Sequence, residues 1–243
     1  MIVYLSPNAK RRTLAMLGII LFLLGTRIGL LPVASEEASA RPVAISRIAA
    51  SLPEVGLMVD VSGAQAEQIR AAMDVLDAVG LTGTWFVDAT TQESHQDLVG
   101  ALLAKGHEIG VKGTDDKPID RLSQLEVKDR LERARQASVK AGVEPVPFVY
   151  PPLGRFSDTV LAVAIQQGYQ AVKPAYDATT MRGKESAAAE KLAASLKQGD
   201  LLLIKVGRAG LSPAQSYLSC LVDSLKSRGL KLVRLSDLVK AVR

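Results

Sequence analysis

The sequence predicts an α/β fold assembled from repeated βα units, and three observations lead there. From Val55 onward, short apolar runs alternate with longer segments whose apolar residues recur every three or four positions, the pattern of a parallel sheet with crossover helices. The length of 243 residues suits one large α/β domain or two small ones. A hydrophobic content of 48% supplies a core, while 4% aromatic and 23% charged residues with 19 Gly and 11 Pro exclude collagen-like, mucin-like and broadly disordered chains.

Seven strands are expected in order, at 55–59, 83–88, 107–111, 146–150, 170–174, 201–206 and 231–235. Helices are expected after them at 66–79, 96–104, 124–141, 158–167, 186–196, 214–227 and 237–242. Ser123 and Glu126 form a capping box opening the third helix, and Gly142 stops it. Seven such units point to a barrel, in which chemistry belongs at the C-terminal strand ends. Those ends are Asp60, Asp88, Lys112 to Asp116, Pro151 to Arg155, Lys173 to Asp177 and Lys205 to Arg208.

Before the barrel, Lys10-Arg11-Arg12 precedes an uncharged apolar run from Leu14 to Thr26, then Arg27 and a second apolar stretch to Ala34. A basic flank ahead of an apolar run is an export signal that leaves the rest of the chain outside the cytoplasm. The segment 1–34 is read as an uncleaved membrane anchor, with secretion after cleavage near the small residues Ala38 and Ala40 as the alternative. Residues 35–52 read as a linker and 53–243 as the exported domain. The formal charge of +5 sits mostly in the first fifty residues, so no basic, aromatic-interleaved face marks a nucleic-acid binder. One cysteine, Cys220, excludes an internal disulfide and a Cys-based zinc ribbon. Two histidines, His95 and His107, leave little for any site that needs several imidazoles.

The exported segment resembles the polysaccharide deacetylase family, whose members remove N-acetyl groups from chitin- or peptidoglycan-type glycans. The resemblance rests on the order and spacing of several stretches: 55–60 (VGLMVD), 84–87 (TWFV), 106–110 (GHEIG), 151–155 (PPLGR) with Gly168-Tyr169, 199–204 (GDLLLI), and 225–226 (LK) through 235–238 (LSDL). It implies a distorted (β/α)7 barrel and, in its anchored single-domain layout, a likeness to sporulation-type envelope deacetylases. It also implies a zinc held by one Asp and two His, an Asp general base and a His general acid. An Asp-His-His site with an open position suits amide hydrolysis, because zinc generates a nucleophilic water near neutral pH and polarises the carbonyl.

Position by position, that machinery is largely replaced. Asp60 stands at the base position, but Val61 stands at the metal-binding Asp, and Lys112 and Asp116 stand at the two metal-binding histidines. Lys205 replaces the general-acid histidine, Tyr150 an arginine before Pro151-Pro152, and Leu153 an aromatic after them. The expectation is therefore no metal and no cofactor, with Tyr150, Pro151, Pro152, Leu153 and Asp177 lining the remaining groove. His107 matches a non-ligand histidine of the family, and His95 reads as a residue at a helix start. Trp85 lies inside a strand and reads as core, with sugar stacking as its alternative.

The vacated site poses an electrostatic problem, since Asp60, Asp116 and Asp177 repel one another if left unpaired. Lys112 and Lys205 are expected to answer it with an ion-pair network; the alternative places both lysines on a solvated rim. A hard cation on Asp60, Asp115 and Asp116 is disfavoured by those lysines, and Asp115-Asp116-Lys117-Pro118 reads more simply as a turn. A nucleophilic lysine is disfavoured too, because neighbouring carboxylates stabilise its charged form. The favoured reading is a catalytically degenerate envelope protein that binds a cell-wall glycan or an envelope protein. The alternatives are an active carbohydrate deacetylase with a rebuilt site and a scaffold whose groove is idle.

Overall fold

The computed structural model describes residues 41–180 and 184–240. Along the chain run β1 (Glu54–Val61), α1 (Ala66–Ala78), β2 (Thr84–Phe86), α2 (Ala89–Ser94), α3 (Gln96–Ala104), β3 (Glu108–Val111), α4 (Gln124–Lys140), β4 (Val146–Val149) and α5 (Asp158–Gln166). Then follow β5 (Gln170–Ala171), β6 (Tyr176–Asp177), α6 (Glu185–Ser195), β7 (Leu201–Gly207), β8 (Gly210–Ser212), α7 (Gln215–Ser227), β9 (Lys231–Val233) and α8 (Leu235–Lys240). The strands form one sheet in the order β5-β4-β3-β2-β1-β7-β6, curled into a half-barrel. Every pairing is parallel except the β7–β8 hairpin. On β1, β9 pairs with Glu54–Gly56 and β2 with Met58–Asp60, so two strands share its length.

All seven expected strands form, and three short elements join them. Strand β6 has two residues and β8 three, too few for alternation to register. Helix α2 has only Ala89 as an apolar residue, so it shows no apolar period, and it is started by Asp88, whose carboxylate accepts from Thr91 N at 2.9 Å.

Residues 42–50 do more than link. Ile45 N donates to Ala171 O and Lys173 N to Ile45 O, while Leu201 N donates to Ser46 O and Ile48 N to Gly199 O. This arm thus bridges β5 and β7 and helps close the barrel wall. Arg47 fixes it through Nε to Asp200 Oδ1 at 2.7 Å, and the carboxylate is almost fully buried. Residues 42–243 group as one unit, so the domain starts nearer Pro42 than the expected Pro53. The expected anchor at 1–34 lies outside the described residues, and among those described no helix is long and apolar enough to cross a membrane.

Alternation along the strands sorts side chains into two layers. Val55, Leu57, Val59, Val61, Trp85, Leu202, Ile204 and Val206 belong to the core shared with α1, α3, α6 and α7. Val111 and Val149 join a second core with α4 and α5. The opposite strand faces point inward, where Met58, Phe86, Phe148, Tyr150, Leu201 and Leu203 meet Leu235 and Leu238 of α8. Helix α8 fits because Gly56 has no side chain: a Cβ there would stand 2.6 Å from Leu235 and 2.8 Å from Leu238. Buried Glu108 holds this plug, accepting from Ser236 N at 3.0 Å and from Thr84 Oγ1 at 2.6 Å.

Candidate functional site

The inward alternation continues to the C-terminal strand ends and there turns polar. Asp60 is two residues beyond Met58, Asp88 two beyond Phe86, Tyr150 two beyond Phe148 and Lys205 two beyond Leu203. Asp60 and Lys205 are register partners across β1 and β7. Lys112 follows β3 by one residue, and Asp177 ends β6 beside Leu203. Sheet register alone therefore collects these charged groups at one mouth of the barrel, where the sequence placed the chemistry.

Lys112 lies at the centre of the cluster. Its side chain has no exposed surface, and its Nζ reaches Asp60 Oδ1 at 3.0 Å and Asp116 Oδ1 at 2.6 Å. The ammonium also donates to Ser62 Oγ at 3.1 Å and to the carbonyl oxygen of Val61. Burial by itself would lower the lysine's pKa, yet the Asp60 and Asp116 carboxylates outweigh it and hold the ammonium above its ordinary range. Asp60 accepts in addition from Ser62 Oγ at 3.1 Å, and Asp116 from Gly63 N at 2.5 Å, which ties the loop after β3 to the turn after β1. Behind Lys112, burial raises the carboxyl pKa of Asp88 against the bonds it accepts from Thr91.

Lys205 behaves differently from the expectation of one shared network. It pairs with Asp177 at 2.7 Å, not with Asp60 or Asp116, because β6 lies beside β7 and presents Asp177 to it. Burial would raise the Asp177 pKa, but its bonds from Lys205 and Thr179 lower it overall. The cluster is thus two units, an Asp60–Lys112–Asp116 triad and a Lys205–Asp177 pair.

Between these units opens a cleft of about 170 Å³ lined by Asp60, Ser62, Tyr150, Leu153 and Lys205. Tyr150 is only 4% exposed, and burial together with the charges of Asp60 and Asp177 raises its pKa, so the phenol stays protonated. Leu153 is 53% exposed with φ at 58°, an unusual backbone state for a branched side chain, in the short turn Pro152–Gly154. Pro151 and Pro152 are buried beneath that turn, and a Cβ on Gly113 would stand 3.2 Å from the Pro152 ring.

Other predicted residues fall elsewhere. Trp85 is fully buried in the outer core, stacked edge-on to His107 at 5.3 Å, so it presents no ring to a sugar. His107 accepts from Gly83 N at 3.2 Å at the start of β3, and burial lowers its pKa to about 4. Asp115 is drawn away by Arg130 at 2.9 Å and Lys117 N at 3.0 Å, as a turn residue should be. The sequence reading missed Ser62 and Gly63. Their signal was a Ser-Gly turn directly after Asp60-Val61, with Gly63 at φ 66°.

Comparison with known proteins places the chain. A family profile described as polysaccharide deacetylase matches residues 49–172. The peptidoglycan-N-acetylglucosamine deacetylase of Bacillus cereus is 25% identical over 172 residues, 69% of this chain and 80% of that protein. The uncharacterized YlxY protein of Bacillus subtilis is 20% identical over 193 residues, 79% of this chain but 59% of that protein's length. A family 4 carbohydrate esterase (CE4) pseudoenzyme from Bacillus anthracis superposes with a TM-score of 0.70 at 19% identity, covering 82% of this chain and 69% of that structure. The chain belongs to the polysaccharide deacetylase family.

The family's zinc does not fit the residues present. Lys112 puts an ammonium among the very carboxylates a cation would need, and its N–H groups already face four acceptors. Val61 keeps its side chain in the outer apolar core and offers the cluster only its carbonyl oxygen. Among the described residues no three His, Cys, Asp or Glu side chains converge to hold a metal ion.

Proposed function

We propose that this chain is a catalytically degenerate polysaccharide-deacetylase-fold protein of the cell envelope that binds glycan through the retained cleft and does not hydrolyse it. The observation that carries the reading is the buried Lys112 ammonium between Asp60 and Asp116. A lysine can balance the charge of these carboxylates, but its N–H groups are taken by Asp116, Ser62 Oγ and the Val61 carbonyl, leaving no open position from which to polarise an amide carbonyl. Asp60, at the base position, is likewise engaged by Lys112 and Ser62. Support for the envelope comes from the apolar segment after Lys10-Arg11-Arg12 and from the relative named for peptidoglycan. We propose that the segment anchors the domain outside the cytoplasm.

Zinc calorimetry on the full-length protein after chelator treatment tests the reading, alongside release of acetate from N-acetylated glycan oligomers. The expected result is no site-stoichiometric zinc binding, no acetate release and the same melting temperature with zinc or chelator. Tight one-to-one binding accompanied by zinc-dependent acetate release would establish the alternative, an active deacetylase with a rebuilt site.

A further inference from the structure

The cleft has a charge balance and a free polar group that together specify a ligand chemistry. Its triad holds two carboxylates against one ammonium, and the Lys205–Asp177 pair is neutral. Adding Asp88 behind Lys112 and Arg208, which lies over Gly63 at the rim, leaves the balance unchanged at one net negative charge. Tyr150, more than nine-tenths buried, has no hydrogen-bond partner for its hydroxyl among the described residues and lines the cleft with Asp60 and Lys205. The charges that act on this hydroxyl are both carboxylates, Asp60 and Asp177. A phenol oxygen in such a field is an acceptor waiting for a cationic donor. Leu153, held with its side chain exposed beside it, supplies an apolar surface for a ring face.

From these features we infer that the cleft binds amino sugars whose amine is free and charged, in preference to their N-acetylated forms. The inference rests on the glycan-binding reading and deepens it by naming the form of the sugar. An ammonium donates to Tyr150 Oη and meets the uncompensated carboxylate charge. An acetamido group brings neither a charge nor a strong donor and adds bulk to a cleft of about 170 Å³. Most of the +5 formal charge lies in the first fifty residues, so the barrel is nearly neutral overall and a preference for a cationic oligosaccharide must come from the local site.

The test is calorimetric titration of the full-length protein with tetramers of glucosamine and of N-acetylglucosamine, at about pH 6, where the sugar amine is protonated. The expected result is binding of the glucosamine tetramer about tenfold tighter, weakened by salt. Tyr150→Phe should weaken the glucosamine tetramer about fivefold and leave the acetylated one unchanged. Equal or tighter binding of the acetylated tetramer overturns the amine preference while the glycan reading stands. An unchanged affinity in Tyr150→Phe, with circular dichroism showing a folded protein, overturns the placement in this cleft. Absence of binding by both tetramers overturns the glycan reading itself.

Discussion

Replacing Lys112 by Met removes a charge while keeping most of the side-chain volume, so little of the effect comes from a cavity. What remains is Asp60, a 2% exposed carboxylate with Ser62 Oγ as its remaining donor, and Asp116 with Gly63 N. Removing one partner of a buried ion pair costs about 3–5 kcal/mol, because the other charge is left uncompensated. At roughly 2–4 °C per kcal/mol for a domain of this size, the melting temperature should fall by about 6–20 °C. The sign of the pH dependence is a second marker. An uncompensated buried carboxyl gains its proton more readily folded than unfolded, so the variant's deficit should narrow as pH falls. Adding Asp60→Asn removes the stranded charge and should restore much of the loss, with a coupling of about 2 kcal/mol or more in a double-mutant cycle. Urea unfolding of the parent, the two single variants and the double variant supplies every number required. A Lys112→Met cost below about 1 kcal/mol, additive with Asp60→Asn, would refute the triad as the feature that organises this site.

Three further outcomes follow from the frame around the cleft. The His107 imidazole is lowered to about 4 from 6.5, so the unfolded chain takes up the proton first; stability is complete above about pH 6.5 and declines toward pH 4 by up to roughly 3 kcal/mol. His107→Asn keeps an acceptor for Gly83 N and should flatten that part of the pH profile, whereas parallel parent and variant curves would assign the acid sensitivity elsewhere. Gly110→Ala puts a Cβ 2.4 Å from the Phe86 ring and should cost about 1–3 kcal/mol in urea unfolding, with partial recovery in a Phe86→Leu background. Arg47→Ala leaves buried Asp200 with Lys197 N as its remaining donor, and should cost about 1–3 kcal/mol while speeding hydrogen exchange at Ile48 and Leu201.

The barrel was legible because its strands are short apolar runs and its helices carry the 3.6-residue period, both local signals. Strands β6 and β8 were not, being too short to show a period, and the arm at 42–50 was taken for a linker because its barrel contacts are mostly backbone hydrogen bonds to distant residues. At the site, position in the sequence was enough to bring Lys112 and Lys205 to the strand ends. Which carboxylate each lysine would take could not be read that way, because that depends on sheet order: β6 lies beside β7 and captures Lys205, while Lys112 reaches from the end of β3 across to β1. Ser62 and Gly63 were invisible for a similar reason, as their part depends on the loop after β3 folding back on the turn after β1.

The same topology explains how the groups at the barrel mouth can differ while the barrel keeps its shape. Asp60, Tyr150 and Lys205 are aimed inward by alternation and register, which are fixed by the outer layers of Val, Ile and Leu and do not depend on what the inner tips do. Carboxylates gathered at a strand end nevertheless repel, so the mouth requires a cation. A lysine supplies one covalently and with a single charge, and it keeps the loop after β3 tied to β1 through Asp116 and Gly63. The triad keeps one carboxylate charge in excess, and Tyr150, whose hydroxyl has no hydrogen-bond partner among the described residues, lines the neighbouring cleft. The proposed loss of hydrolysis and the inferred preference for a charged amine then share one physical root: a buried ammonium cannot polarise an amide as a divalent ion does, and its single charge under-compensates the two carboxylates beside it.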